Sequence, residues 1–188
     1  MIKKKKQIVV GIAGGSGSGK STICSYFEDD LDDLKVKSIH MDDYFKTDKP
    51  NIISPFTGVV YPDFNHPDSF DFDRLLNQYS IIAVQDVDVI IIEGLMTLYE
   101  KRIRELLDLK IYIDCQADER IIRRISRNSS WGESFEEITS VYLDAVRYRH
   151  NEFVEPSRWY ADFILNGTNT SQIGKDIIIK WIRDEINN

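Results

Sequence analysis

Gly14, Gly15, Ser16, Gly17, Ser18, Gly19, Lys20, Ser21 and Thr22 are the residues of this sequence whose types and spacing most directly imply chemistry. Gly14 to Ser21 fits G-x-x-x-x-G-K-[ST], a loop whose backbone N–H groups cradle the phosphates of a nucleotide. The glycines let an anion approach the main chain closely. Lys20 can reach the β- and γ-phosphates, and the Ser21 hydroxyl can ligate Mg2+. Such a loop says that a nucleoside triphosphate binds; what happens to the phosphate must be read elsewhere. Two acids stand at predicted strand ends. Asp42, in Asp42-Asp43-Tyr44-Phe45, suits either a general base or a helix N-cap. Glu93, ending an apolar run, suits holding Mg2+ through water or orienting an acceptor, so Ser21 and Glu93 are the candidate metal residues. Arg120, Arg123, Arg124 and Arg127 recur at i, i+3, i+4, i+7 and share one helix face. In a chain of net charge −7 that stripe calls for anions. Arg124 and Arg127 are assigned to the transferring phosphoryl group. Arg120 and Arg123 are assigned to a solvated face answered by Asp118 and Glu119.

The elements that must position these groups follow from periodicity. Gln7 to Ala13 reads as a buried parallel strand and Ser21 to Phe27 as the helix after the loop. Val36 to Met41 is a strand that delivers Asp42 to the ligand-binding edge. Residues 46–70, carrying Pro50, Pro55, Gly58, Pro62 and Pro67, read as an irregular functional loop, and Ser69 as the cap of a helix through Leu76. Asp86 to Gly94 is a central strand and Leu109 to Asp114 another. The arginine helix follows, with Ile121, Ile122 and Ile125 on its other side. Ser134-Phe135-Glu136-Glu137 is a capping box that opens the next helix, and Pro156 stops it. Arg147, Arg149 and His150 suit the dipole near that helix's end, and His66, before a proline, is structural. Ala161 to Leu165 is the last strand and Ile173 to Ile186 the closing helix. Alternating strands and helices predict an α/β fold over residues 1–188: one domain, a parallel sheet flanked by helices, with a small helical lid at about 116–135.

Composition narrows the function class. A chain of 188 residues, 42% hydrophobic and 29% charged, is that of a soluble globular domain. The acidic balance argues against general nucleic-acid binding. Cys24 and Cys115 read as buried free thiols, which suits a reducing cytoplasm. No apolar run is long enough to span a membrane, and the run behind Lys3 to Lys6 is too short for a signal peptide.

Taken in order, these stretches resemble the uridine kinase/phosphoribulokinase family of P-loop kinases. The matching segments are Gly14 to Ser21, Asp42-Asp43-Tyr44-Phe45, Phe64-Asn65-His66-Pro67-Asp68-Ser69-Phe70-Asp71, Glu93-Gly94, Arg123-Arg124-Ile125-Ser126-Arg127-Asn128, and Glu152 to Pro156 through Asp162. The resemblance implies the P-loop NTPase fold, ATP and Mg2+, and transfer of the γ-phosphate to a hydroxyl of a nucleoside-like acceptor. It implies Asp42 as the base, Glu93 near Mg2+, and Arg124 and Arg127 on the triphosphate. Tyr44, Asp63 and Asn65 fall where the acceptor would bind, and the family's habit of oligomerising implies a homo-oligomer. The sequence also departs from the family. Uridine kinases carry a pyrimidine-reading β-hairpin before the strand ending E-G; here only Asn77 to Asp86 fills that space. The family's ribose-binding aspartate corresponds to Asn65, a base-contacting glutamine to Val141, and the lid's E-R-G-R to Trp131-Gly132-Glu133. The compact form also resembles nicotinamide riboside kinases. The acceptor therefore stays open between uridine or cytidine, another nucleoside and a sugar phosphate, with a nucleotide-dependent switch or non-catalytic paralogue as the alternative of another class.

Overall fold

The structure is a computed structural model that describes residues 6–169 and 171–187. Lys3, Lys4 and Lys5 of the basic run lie outside the described residues. The central element is β1 (Ile8–Gly14), every residue of which is buried. Side chains alternate across a strand. Ile8, Val10 and Ile12 therefore pack on one side against Ile23 and Phe27 of α1 (Lys20–Asp30), while Val9 and Ala13 face the opposite core. The chain continues through β2 (Val36–His40), a short hairpin of β3 (Asn51–Ile53) and β4 (Val60–Pro62), and α2 (Phe72–Ala83). Then come β5 (Val89–Gly94), α3 (Lys101–Arg104), β6 (Leu109–Asp114) and α4 (Ala117–Ser129). A helical run opens with α5 (Phe135–Val141) and continues through a π turn at Tyr142–Val146, α6 (Arg147–Arg149), a second π turn at His150–Val154 and α7 (Glu155–Ser157). Last are β7 (Phe163–Asn166) and α8 (Gln172–Asn187).

Five strands form one parallel sheet in the order β2-β5-β1-β6-β7. Both faces are covered: α1 buries Ile23, Cys24 and Phe27 and α8 buries Ile178, Ile179, Ile182 and Ile186 on one side, and Leu75, Ile82, Met96, Leu98 and Ile103 fill the other. This is the architecture of a P-loop NTPase. The register sets the site. Glu93 lies opposite Ile12 on one neighbour and His40 on the other, so the ends of β1, β2 and β5 open on one edge.

Several expectations are corrected. Residues 46–70 contain the β3–β4 hairpin, whose strands of three residues are too short to show alternation among the prolines. Asp71, not Ser69, caps α2: its carboxylate accepts from the Arg74 N–H, because Ser69 lies in a separate 3-10 turn. Pro156 does not stop its helix, which runs on to Tyr160; two π turns upstream rearrange the hydrogen bonding ahead of it. The capping box at Ser134 and Glu137 is formed as expected. Both cysteines are buried and free, and burial pushes the Cys24 thiol up to about 12.

Candidate active site

The loop after β1 turns through left-handed glycines. Gly17 has φ 81° and Gly19 φ 99°, and a Cβ on Gly17 would sit 2.6 Å from the Arg120 carbonyl oxygen. Gly19 is the N-cap of α1 and supplies no side-chain cap, so the first N–H groups of that helix remain available to an anion. Ser21 Oγ donates to Glu93 Oε1 at 3.1 Å, and His40 Nδ1 lies 3.0 Å from the same oxygen. Lys20 Nζ donates to the Gly15 carbonyl at 3.2 Å. Burial pulls the Lys20 ammonium below its usual range, while Glu93 and Asp42 oppose that shift. Asp42 opens onto a cavity, yet the protein packed around it pushes its carboxyl up; Lys20 pulls the other way and Glu93 adds repulsion.

Two cavities meet on this edge. One, of about 520 Å3, is lined by Gly17, Gly19, Thr22, Arg123 and the segment Gly167 to Asn169 after β7. The other, of about 390 Å3, is lined by Asp42, Phe45, Tyr61, Asn65, Arg124 and Trp131 among others. Lys20, Ser21 and Arg127 belong to both. The geometry thus provides two chambers joined by an ammonium, a hydroxyl and a guanidinium. That arrangement can hold two substrates end to end across a transferring group.

The arginine helix is oriented opposite to ordinary amphipathicity. Arg120 is only 5% exposed whereas Ile122 is 66% exposed. Arg120 and Arg123, expected on a solvated face, instead brace the phosphate loop, while Arg123 also makes the expected pair with Glu119 at 3.0 Å. Arg120 Nε donates to the Cys115 carbonyl at 3.0 Å, and its guanidinium packs over Gly15. Arg123 Nη1 reaches the carbonyls of Gly167 at 2.8 Å and Gly17 at 3.4 Å. Arg124 Nη1 and Arg127 Nη2 both donate to Ser16 Oγ, at 3.2 and 3.4 Å. The Arg127 guanidinium also stacks 5.0 Å from the centroid of Trp131. Period alone gave the shared face; which side was buried depended on the loop opposite.

Of the expected acceptor residues, Asn65 and Glu93 line the second cavity and Tyr44 does not. Tyr44 turns aside, with Arg74 stacked 5.0 Å above its ring, and its neighbour Phe45 faces the cavity instead. Asp63 lines the cavity, but its carboxylate is committed: Oδ2 accepts from Arg149 Nε at 2.6 Å and Oδ1 from the Asn65 N–H at 2.9 Å. Arg149 is therefore an ion-pair partner rather than a helix-dipole cation. His150 is buried beside Gly15, with Nε2 3.3 Å from Glu155. Sequence reasoning missed His40, Tyr61 and Gly167 to Asn169. The signal for His40 and Gly167 was the one that found Glu93, a position at the carboxyl end of a strand; nothing singled out Tyr61.

Comparisons with known proteins point to one family. The model of the "Phosphoribulokinase / Uridine kinase family" matches residues 70–174. The chain is 34% identical, over 203 aligned residues, to a uridine kinase of Clostridium botulinum (strain Okra / Type B1), covering 95% of this chain and 97% of that protein. It is 35% identical to a uridine kinase of Bacillus velezensis, covering 95% of each. Among solved structures, the "Possible Uridine Kinase" from Bacillus stearothermophilus superposes with a TM-score of 0.56 at 19% identity, covering 87% of this chain and 90% of that one. TT1252 from Thermus thermophilus gives 0.57 at 17% identity, covering 97% and 99%; at such identities these two speak for the fold alone. Phosphate loop, strand-end acids, arginine helix and near-full-length relatives together place this chain in the phosphoribulokinase/uridine kinase family.

Proposed function

We propose that this protein is an ATP- and Mg2+-dependent nucleoside kinase of uridine kinase type, acting in the cytoplasm, with a hydroxyl of uridine or cytidine as acceptor. The observation that carries this reading is the junction of two cavities at Lys20, Ser21 and Arg127, with Asp42 opening onto the second one. The triphosphate lies along Gly14 to Thr22 in the first cavity, and the acceptor lies in the second. Asp42 accepts the proton of the acceptor hydroxyl, whose oxygen then bonds to the γ-phosphorus. The bond from that phosphorus to the β–γ bridging oxygen breaks, and ADP leaves. An acid whose affinity for protons has been raised is better suited to that task than a surface carboxylate. Lys20, Arg124 and Arg127 stabilise charge on the group in flight, and α4 with the segment to Ser134 serves as a lid that excludes water. Asn65 is the residue of the second cavity placed to meet the ribose.

The donors on the floor fit Mg2+. Ser21 and Glu93 are hard oxygen ligands 3.1 Å apart. Among the described residues no group of three His, Cys, Asp or Glu side chains could hold a metal, so the ion would take its other ligands from phosphates and water. When bound, Mg2+ neutralises charge on the phosphates. The test is mass spectrometry of protein, Mg·ATP and a panel of uridine, cytidine, purine nucleosides, nicotinamide riboside and sugar phosphates. The expected product is uridine or cytidine monophosphate, with ATP turnover that depends on the added acceptor. Product from another panel member replaces the acceptor but keeps the kinase. Hydrolysis indifferent to every acceptor overturns the kinase reading in favour of a nucleotide-dependent switch.

A further inference from the structure

The β3–β4 hairpin walls the acceptor cavity, and one carboxylate ties it down. Its two faces differ. Ile52 and Tyr61 are directly paired and face inward, Ile52 being buried and Tyr61 lining the cavity, whereas Ile53 and Val60 are paired and exposed. Asp144, in the π turn after α5, receives two hydrogen bonds from this hairpin on the same oxygen. Thr57 Oγ1 donates at 2.9 Å and Tyr61 Oη at 3.0 Å. Lost hydration alone would raise the Asp144 carboxyl, but the hydroxyls of Thr57, Tyr61 and Ser54 outweigh it and hold the group low. One helical turn farther on, Arg149 pairs with Asp63 at the hairpin's exit. The Asp63 N–H in turn donates to the Pro50 carbonyl at 2.8 Å, closing the hairpin at its base.

The wall that Tyr61 belongs to is mostly apolar and aromatic. Phe45 and Phe64 stand edge-to-face at 5.3 Å, with Pro62, Leu95 and Val141 nearby. Polar groups on this part of the lining are already occupied. Asp63 is taken by Arg149, and Asn128 bridges Arg127 and Glu133. A planar heterocycle entering here meets rings and few free hydrogen-bonding groups, so stacking would hold it.

We propose that Tyr61 is the specificity-determining residue that takes the acceptor's planar ring, and that Asp144 is the positioning residue that holds the hairpin and Tyr61 in place. This rests on the nucleoside-kinase reading above. The experiment is steady-state kinetics with uridine and Mg·ATP on Tyr61→Phe, Asp144→Ala, their double variant and Thr57→Val. Tyr61→Phe keeps the ring and removes only the clasp. Each of the first two should raise the KM for uridine roughly tenfold, the scale of one lost hydrogen bond to a charged group. The KM for ATP should stay within about twofold, and the double variant should be no worse than the poorer single one, because both break the same bond. Thr57→Val, at an exposed loop position, should raise the uridine KM less and serves where an Asp144 variant does not fold. Wild-type turnover of uridine with unchanged uridine KM in every folded variant overturns the clasp and leaves the kinase reading intact. Equal losses toward ATP and uridine, or additive losses in the double variant, also overturn it. Wild-type protein that binds ATP but phosphorylates no nucleoside overturns the nucleoside reading and the role of Tyr61 together.

Discussion

At Asp42 two opposing influences meet, and their balance makes a testable acid. Packing around the carboxyl and the nearby Glu93 raise it, and Lys20 lowers it, with burial the largest effect and the net direction upward. As proposed base it must be ionised, so kcat/KM for the acceptor should fall on an acid limb whose apparent pKa lies above the ordinary 3.8. Asp42→Asn should lower kcat by about 10²–10⁴-fold and leave ATP binding in place. Retained turnover in that variant, measured beside ATP titration, would remove Asp42 from the chemistry. The Arg149–Asp63 pair makes a different demand. The Asp63 side chain is wholly buried and Arg149 is 19% exposed, so Arg149→Met strands a carboxylate away from water. Breaking such a pair costs about 3–5 kcal/mol, and Arg149→Met with Asp63→Asn should recover much of it. Urea melts of the single and double variants decide this; equal losses in both would show that the charge is not the issue.

Among the elements, the strands were the most legible. β1 and β6 were predicted to within one residue, and β5 to its end though it begins at Val89 rather than Asp86, because continuous β-branched runs between polar breaks admit little else. The strand-end positions of Asp42 and Glu93 followed from the rule that parallel sheets bind ligands at their carboxyl edge. The β3–β4 hairpin was illegible, since three-residue strands around Pro55 and Gly58 carry no period. The orientation of α4 was half legible: spacing gathers its arginines on one face but cannot say that this face is buried against glycines. Those glycines are constraints as much as freedoms. A Cβ on Gly94 would fall 2.3 Å from Met41 Cβ, and Met41 is anchored on the other side by the Met96 N–H at its Sδ. Gly94→Ala must therefore push the 3-10 turn Met41–Tyr44, and Asp42 with it. A displacement of that kind should cost about 10²-fold in kcat while nucleotide affinity holds. Wild-type kcat in a folded Gly94→Ala protein would mean that the turn does not position the base.

Over the whole molecule, the site is assembled at the expense of the stability of the ligand-free protein. Lys20 and Arg124 are both pulled down by burial and Asp42 is pushed up, so each is disfavoured in its charged form. The folded-state pKa of Asp42 exceeds the unfolded 3.8, so its ionised form costs stability above that range and costs nothing once pH falls below 3.8. The folded-state pKa of Lys20 lies below the unfolded 10.5, so its charged form costs stability at neutral pH, and that cost is relieved as pH rises from the lowered value toward 10.5 and is gone above it. Both penalties act together near pH 7, and a triphosphate bound as proposed would remove much of the one on Lys20. Ligand-free Asp42→Asn and Lys20→Met should therefore each melt above the parent at pH 7. The Asp42→Asn advantage should shrink to nothing below pH 3.8. Mg·ATP should raise the melting temperature of the parent and of Asp42→Asn, but only weakly that of Lys20→Met, which lacks the proposed phosphate contact. Scanning calorimetry with and without nucleotide separates the cases. If ligand-free Lys20→Met melted below the parent, the buried ammonium would be a structural support, and the cost assigned here to the charged site would be wrong.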